Sequence, residues 1–127
     1  MEIKNKILVF WGRCELITNL ELQELAPKIS EILCGGLPFS YGEHSIWEEI
    51  PSMYIEHSIL GMLIIIGGYG GDRGFEIAIQ PTTSSYIYEH NLYNEEIKIR
   101  MDTHLYHLLK EGLKDCPAIE VIEPSRN

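Results

Sequence analysis

The 127-residue sequence predicts an α/β (α+β) fold in which one mixed, largely antiparallel sheet is packed with two main helices. Three observations lead there. Short β-branched or alternating runs, set off by glycine, proline and polar clusters, read as strands. Two segments carry leucine and isoleucine at helical spacing, each with one apolar face. The two kinds of segment follow one another as β–α–(β)–β–β–(β)–α–β, an order that lays helices on a sheet. The length suits one domain over residues 1–127, large enough to bury a core without disulfides or metal.

Ile7–Trp11 (ILVFW) is β-branched and aromatic and is bounded by Gly12, so it reads as a buried first strand. Thr18 and Glu21 have capping-box spacing. After them Leu22, Leu25, Ala26, Ile29, Ile32 and Leu33 form one helical face, and Gly35 and Gly36 supply the stop. Pro27 inside that helix would cost roughly 3 kcal/mol, so the helix either kinks there or starts near it. Leu37–Ser52 reads as a loop followed by a short helical turn that Pro51 stops, and Met53–Glu56 as a short strand. Leu60–Ile66 is an apolar run of the central-strand kind. Phe75–Gln80 alternates, with Phe75, Ile77 and Ile79 facing one way. Residues 82–94 have no firm period. Glu95–Met101 alternates like a strand, although it could equally open a helix. Asp102 or Thr103 is placed to cap a helix to about Lys114. Leu105, Leu108, Leu109 and Leu113 face inward there, with Lys110 and Lys114 near the negative end of its dipole. Ile119–Ile122 closes as a last strand.

Five glycines fall between Gly67 and Gly74, inside the stretch IIIGGYGGDRGFEIAI. A phosphate cradle needs a strand, a glycine-rich turn and then a helix N-terminus. Here the period after the turn is two, the Gly-Lys-Ser/Thr ending is missing and the spacing is not GxGxxG. The expectation is a hairpin loop whose glycines supply positive φ angles. Its tip, Tyr69 with Asp72 and Arg73, is either a partner contact or an ordinary mobile loop.

Ten Lys and Arg stand against 19 Asp and Glu, a net charge of −9. Phosphate-rich partners repel such a chain, which argues against nucleic acid and against anionic membrane surfaces. No Lys or Arg lies between Lys28 and Arg73, an interval holding Glu31, Glu43, Glu48, Glu49, Glu56 and Asp72. A face of that sign suits a basic partner. Cys14, Cys34 and Cys116 are odd in number and without CxxC spacing, so neither a disulfide framework nor a zinc site is indicated. The N-terminus has no long apolar core with a small-residue cleavage site, and Ile59–Ile66 is too short to span a bilayer. A cytoplasmic protein is expected.

Chemistry-bearing motifs are sparse. His104, His107 and Glu111 share one face of the second helix at a spacing that metal sites use, but the pattern is loose and solvated helix residues explain it more cheaply. His44 and His57 stand beside glutamates. No serine elbow occurs and no cysteine has a base near it in sequence. No cofactor, metal or catalytic residue is assigned. A small metal- or nucleotide-binding enzyme or regulator is the alternative reading.

The segment SYGEHSIWEEI, residues 40–50, joins Tyr41 and Trp47 to Glu43, Glu48 and Glu49. Aromatic anchors among carboxylates are what protein interfaces use to bury area and to pair with basic partners. Tyr41-Gly42-Glu43, then His44-Ser45-Ile46, then Trp47-Glu48, following a first strand and helix, resembles the partner-binding segment of the barstar family of ribonuclease inhibitors. The interval before the tryptophan is shorter here, and the glycine hairpin has no obvious counterpart in that family. More broadly, a small, acidic, motif-poor chain resembles the immunity proteins of bacterial polymorphic toxins. The resemblance implies an inhibitor, with no catalysis of its own, that occludes a basic toxin domain such as a nuclease. The residues assigned to that contact are Tyr41, Glu43, Trp47, Glu48 and Glu49, with Glu56, Tyr69 and Asp72 behind them.

Overall fold

The computed structural model describes residues 6–41, 50–55, 59, 61–81 and 95–125. In chain order the elements are β1 (Lys6–Thr18), α1 (Leu22–Leu33), β2 (Phe39–Ser40), β3 (Ser52–Ile55), β4 (Met62–Gly68), β5 (Phe75–Pro81), β6 (Glu95–Arg100), α2 (Asp102–Gly112) and β7 (Ile119–Val121). The sheet runs β2-β3-β4-β5-β1-β6, and β7 also pairs with β1. Every pairing is antiparallel except that of β1 with β6. The predicted class therefore holds, a mixed and largely antiparallel sheet with two helices. Residues 95–100 are strand, which settles one of the two readings of that segment.

The first strand is longer than ILVFW suggests: it passes through Gly12 and continues for 13 residues to Thr18. Gly12 does not end it because the residue is a contact point. A Cβ there would lie 3.2 Å from the Cβ of Met101, where β6 gives way to α2. Partners change at this glycine. Lys6–Trp11 pairs with β6, Gly12–Leu16 with β5, and Leu16–Thr18 with β7. Along the edge shared by β6 and β7, the Trp11 carbonyl accepts from the Met101 N–H at 2.7 Å, and the Glu15 carbonyl accepts from the Ile122 N–H at 2.9 Å. Between them the Arg13 N–H donates to the Asp102 carboxylate at 2.7 Å. The other Asp102 oxygen takes both Arg100 Nε and Nη2, at 3.0 and 2.8 Å. Asp102 and Thr103 are thus not the cap of α2. Met101 is the N-cap and no side chain caps it; the Asp102 carboxylate serves β1 instead.

The cap of α1 also shifts from its expected place. Glu21 is the N-cap, and its N–H donates to the Glu24 carboxylate at 3.1 Å. Thr18 instead ends β1, buried, with its hydroxyl oxygen accepting from the Leu20 N–H at 3.2 Å. Pro27 stands inside the helix rather than starting it. Gln23, whose carbonyl loses its helical donor to the proline, is exposed, as is Pro27 itself, so water can serve that carbonyl. The helix stops as predicted: the Ser30 carbonyl takes the N–H groups of Cys34 and Gly36 at 2.7 and 3.1 Å, and Gly35 and Gly36 have positive φ. Phe39–Ser40 is a short edge strand within a stretch expected to be loop. The helical turn expected before Pro51 falls in 42–49, outside the described residues.

Leu22, Leu25, Ala26 and Ile29 of α1 and Leu105, Tyr106 and Leu109 of α2 are buried over Cys14, Leu16, Met53, Ile66, Phe75 and Ile77 of the sheet. Burying aliphatic side chains of this size stabilises by about 1.5–3 kcal/mol each. Leu108, expected inward, is 41% exposed. Tyr106 occupies the face instead, its hydroxyl accepting from the Lys110 ammonium at 2.8 Å. On the opposite face of the sheet Ile65 and Ala78, cross-strand partners, are also buried. This double burial explains why residues 63–66 carry no polar alternation.

The glycine stretch forms a hairpin, with strand following strand as the period of two predicts. Strand β4 runs on into Gly67 and Gly68, and the turn holds one short 3₁₀ segment, Gly71–Arg73. Gly74 has φ +70° and packs so closely on β1 that a Cβ would lie 2.6 Å from the Leu16 carbonyl oxygen. Gly71, at φ +56°, faces open space. Gly74→Ala should therefore cost at least about 2 kcal/mol, combining left-handed strain with overlap, whereas Gly71→Ala should cost about 1 kcal/mol from strain alone. Urea unfolding of the two variants checks the difference.

Candidate functional site

The turn between β4 and β5 gathers the functional features at one end of the sheet. Register places Ser52 opposite Gly67, and the Gly68 N–H donates to the Pro51 carbonyl at 2.9 Å, so Ile50 and Pro51 lie beside the turn. The Arg73 guanidinium sits 5.1 Å from the centre of the Tyr69 ring, a cation–π contact that holds both side chains at the tip. A groove of about 500 Å³ opens on this side, with Ile50, Gly67, Tyr69 and Arg73 in its lining. Arg13, Glu15 and Glu76 bring charge from β1 and β5. Glu15 and Glu76 are direct cross-strand partners, and Arg13 offsets that like-charge pair at 3.6 Å from Glu76. Against the other side of the turn lies a second groove of about 300 Å³ whose ionisable lining is Asp72 and Glu120, with no Lys or Arg.

Three residues assigned from sequence are described. Tyr69 is 54% and Tyr41 49% exposed, and Asp72 is exposed as well. Tyr41 follows β2 one residue past Ser40, which pairs with Tyr54, so it leaves the sheet on the side where β3 begins. Tyr41 and Ile50 therefore bracket 42–49 near the same end of the sheet as Tyr69 and Asp72. The assigned Glu43, Trp47, Glu48 and Glu49 fall within that interval, outside the described residues. Glu56 is also outside them; Ile55, which precedes it, ends β3 on the side away from the turn.

Sequence reading missed Ile50, Arg13, Glu15, Glu76 and Glu120 as members of this surface. The signal for three of them was present: the alternation of Phe75–Gln80 already turns Glu76 away from Phe75, Ile77 and Ile79. RCELIT after Gly12 alternates, and extending the first strand through it sends Arg13 and Glu15 outward together. Ile50 and Glu120 carry no such signal, because pairing of distant segments brings them to the turn.

The other clusters come apart. His104 and His107 are exposed, Glu111 pairs with Lys114 at 2.7 Å, and the His107 ring lies edge-on to Tyr106 with centroids 5.2 Å apart. Among the described residues no three His, Cys, Asp or Glu side chains come together as a metal site would require. His44 and His57 lie outside the described residues. Burial, aided by Glu15 and Asp102, pushes the Cys14 thiol up to about 11, and burial raises Cys34. Among the described residues no helix is long and apolar enough to cross a membrane. The chain matches no protein-family model, no curated protein and no solved structure.

The raised Cys14 pKa means that the fold prefers the protonated thiol. Its contribution to stability is fully present below the ordinary thiol range, about 8.5, and is lost as pH rises through about 11. In mildly alkaline buffer a thiol reagent should label Cys116, which is half-buried, well before Cys14 and Cys34, and should reach all three in urea. Mass mapping of the labelled cysteines reads out the order.

Proposed function

We propose that the protein is a non-catalytic inhibitor of the immunity-protein kind, which binds a basic protein domain, a toxin nuclease above all, and blocks it through the hairpin end of the sheet. The observation that carries this reading is convergence. Of the large apolar side chains exposed among the described residues, Tyr41, Ile50 and Tyr69 come from three separate segments and lie toward one end of the sheet. Beside them lies the Asp72–Glu120 groove, which no cation lines. Rigid aromatic side chains anchor interfaces at low entropic cost, and carboxylates beside them select a positive surface. The net charge of −9 steers the same partner at long range. Tyr41 and Ile50 also bracket the interval that carries Glu43, Trp47, Glu48 and Glu49 in sequence.

The mechanism is occlusion. Carboxylates take the place of substrate phosphates against the Lys and Arg of the partner, while the aromatic side chains exclude water around them. A basic protein domain captured by this chain from cells of the same strain, then purified separately, supplies the test. Asp72→Lys with Glu120→Lys, or Glu48→Lys with Glu49→Lys, should slow association about tenfold or more at low ionic strength, with the difference shrinking as salt is added. Tyr69→Ala should act on dissociation instead, at a cost of about 1–2 kcal/mol. Association rates that ignore both charge reversals would remove the proposal, as would undiminished cleavage of nucleic acid by the partner when the chain is in excess.

A further inference from the structure

Among the described residues the sheet has one long edge without a neighbouring strand. Strand β6 ends the strand order, and among the described residues no strand pairs with its outer side. The opposite edge strand, β2, has only two residues. The Met101 N–H points at β1, donating to Trp11, and successive residues of a strand direct their N–H and C=O groups to alternate sides. The inward set on β6 is therefore Ile97 and Ile99, and the outward set is residues 96, 98 and 100. Among the described residues nothing takes up the backbone donors and acceptors at those three positions, an edge of the kind that templates the addition of another strand.

We infer that β6 is a homodimer interface, at which a second copy of this chain adds its own β6 antiparallel and extends the sheet across both molecules. The strand reads Glu95-Glu96-Ile97-Lys98-Ile99-Arg100, acidic at its start and basic at its end. Two such strands running in opposite directions are self-complementary. The register that sets Ile97 opposite its own copy places residue 96 opposite residue 98, acid against base, twice by symmetry. It also pairs outward-facing positions with outward-facing positions, so that the backbone hydrogen bonds can form. Lys98 is exposed and lies over the Trp11 ring at 5.8 Å, with no carboxylate partner among the described residues. Arg100 is already held by Asp102 and need not move. Ile97 and Ile99 are half-buried in one chain, and the added strand covers them further. The edge pairs with Lys6–Trp11 of β1, whereas the hairpin turn sits against Leu16, so this surface and the proposed inhibitory one lie at different ends of β1.

Sedimentation equilibrium of the full chain over a range of concentrations tests the inference. The expected result is a reversible monomer–dimer equilibrium. Lys98→Glu alone and Glu96→Lys alone should each raise the dimer dissociation constant by about tenfold, and the double swap should restore it, since it puts opposite charges back against each other. Lys98→Pro removes an N–H that β1 does not use and should abolish the dimer while the far-UV spectrum and melting temperature stay near those of the parent. A chain that is monomeric at every concentration overturns the inference. So does a dimer that survives Lys98→Pro and shows no response to the charge swap, because such a dimer uses another surface.

Discussion

One carboxylate–amide contact governs how the sheet is assembled. Among the described residues β1 is the one strand that pairs with all three of β5, β6 and β7, and it serves the last two along a single edge. Between the end of one ladder and the start of the other lies the Arg13 amide, which neither strand reaches. Asp102 accepts it, and Arg100 holds the carboxylate in place. The contact is solvent-exposed, so the bond adds a modest net stabilisation of about 0.5–1.5 kcal/mol. Because Asp102 opens α2, the same bond that completes the edge of β1 also fixes where the second helix begins. Gly12 permits the arrangement, since any side chain there would press on Met101.

The position of α2 then sets the rest of the core. It carries Leu105, Tyr106 and Leu109 onto β1, where Cys14 and Leu16 are buried, next to the residues of α1 that lie over β3 and β4 at Met53 and Ile66. The hairpin closes against the far half of β1, where Gly74 meets the Leu16 carbonyl. The exposed tip is thus anchored through β1 to the part of the molecule that is most deeply buried. Tyr69 and Asp72 sit on a turn held by backbone contacts at both ends, which reduces the ordering that a partner would have to impose on binding.

The two surfaces argued for above use different physics. The hairpin end offers side chains, with aromatic area beside unbalanced carboxylates, and suits a partner of opposite charge. The β6 edge offers backbone, with charges graded along the strand, and suits an antiparallel copy of itself. A chain of this size can carry both because β1 is long enough to hold them apart.

Local patterns determined much of this protein. The period of two in Phe75–Gln80, the period of 3.6 in both helices, and the need for positive φ at the glycine turn are properties of short segments, and each appears where the sequence places it, whereas 95–100, which the sequence leaves open between strand and helix, is made a strand by its pairing with β1. Contacts between distant segments decided the rest. Gly12 reads as a strand end until Met101 arrives beside it. Asp102 reads as a helix cap until the Arg13 amide competes for its carboxylate, and Leu108 reads as core until Tyr106 takes the covered side. The gathering of Arg13, Ile50, Tyr69 and Glu120 around one turn is likewise absent from any window of the sequence, because strand register, set by which face of each strand is buried, brings them together.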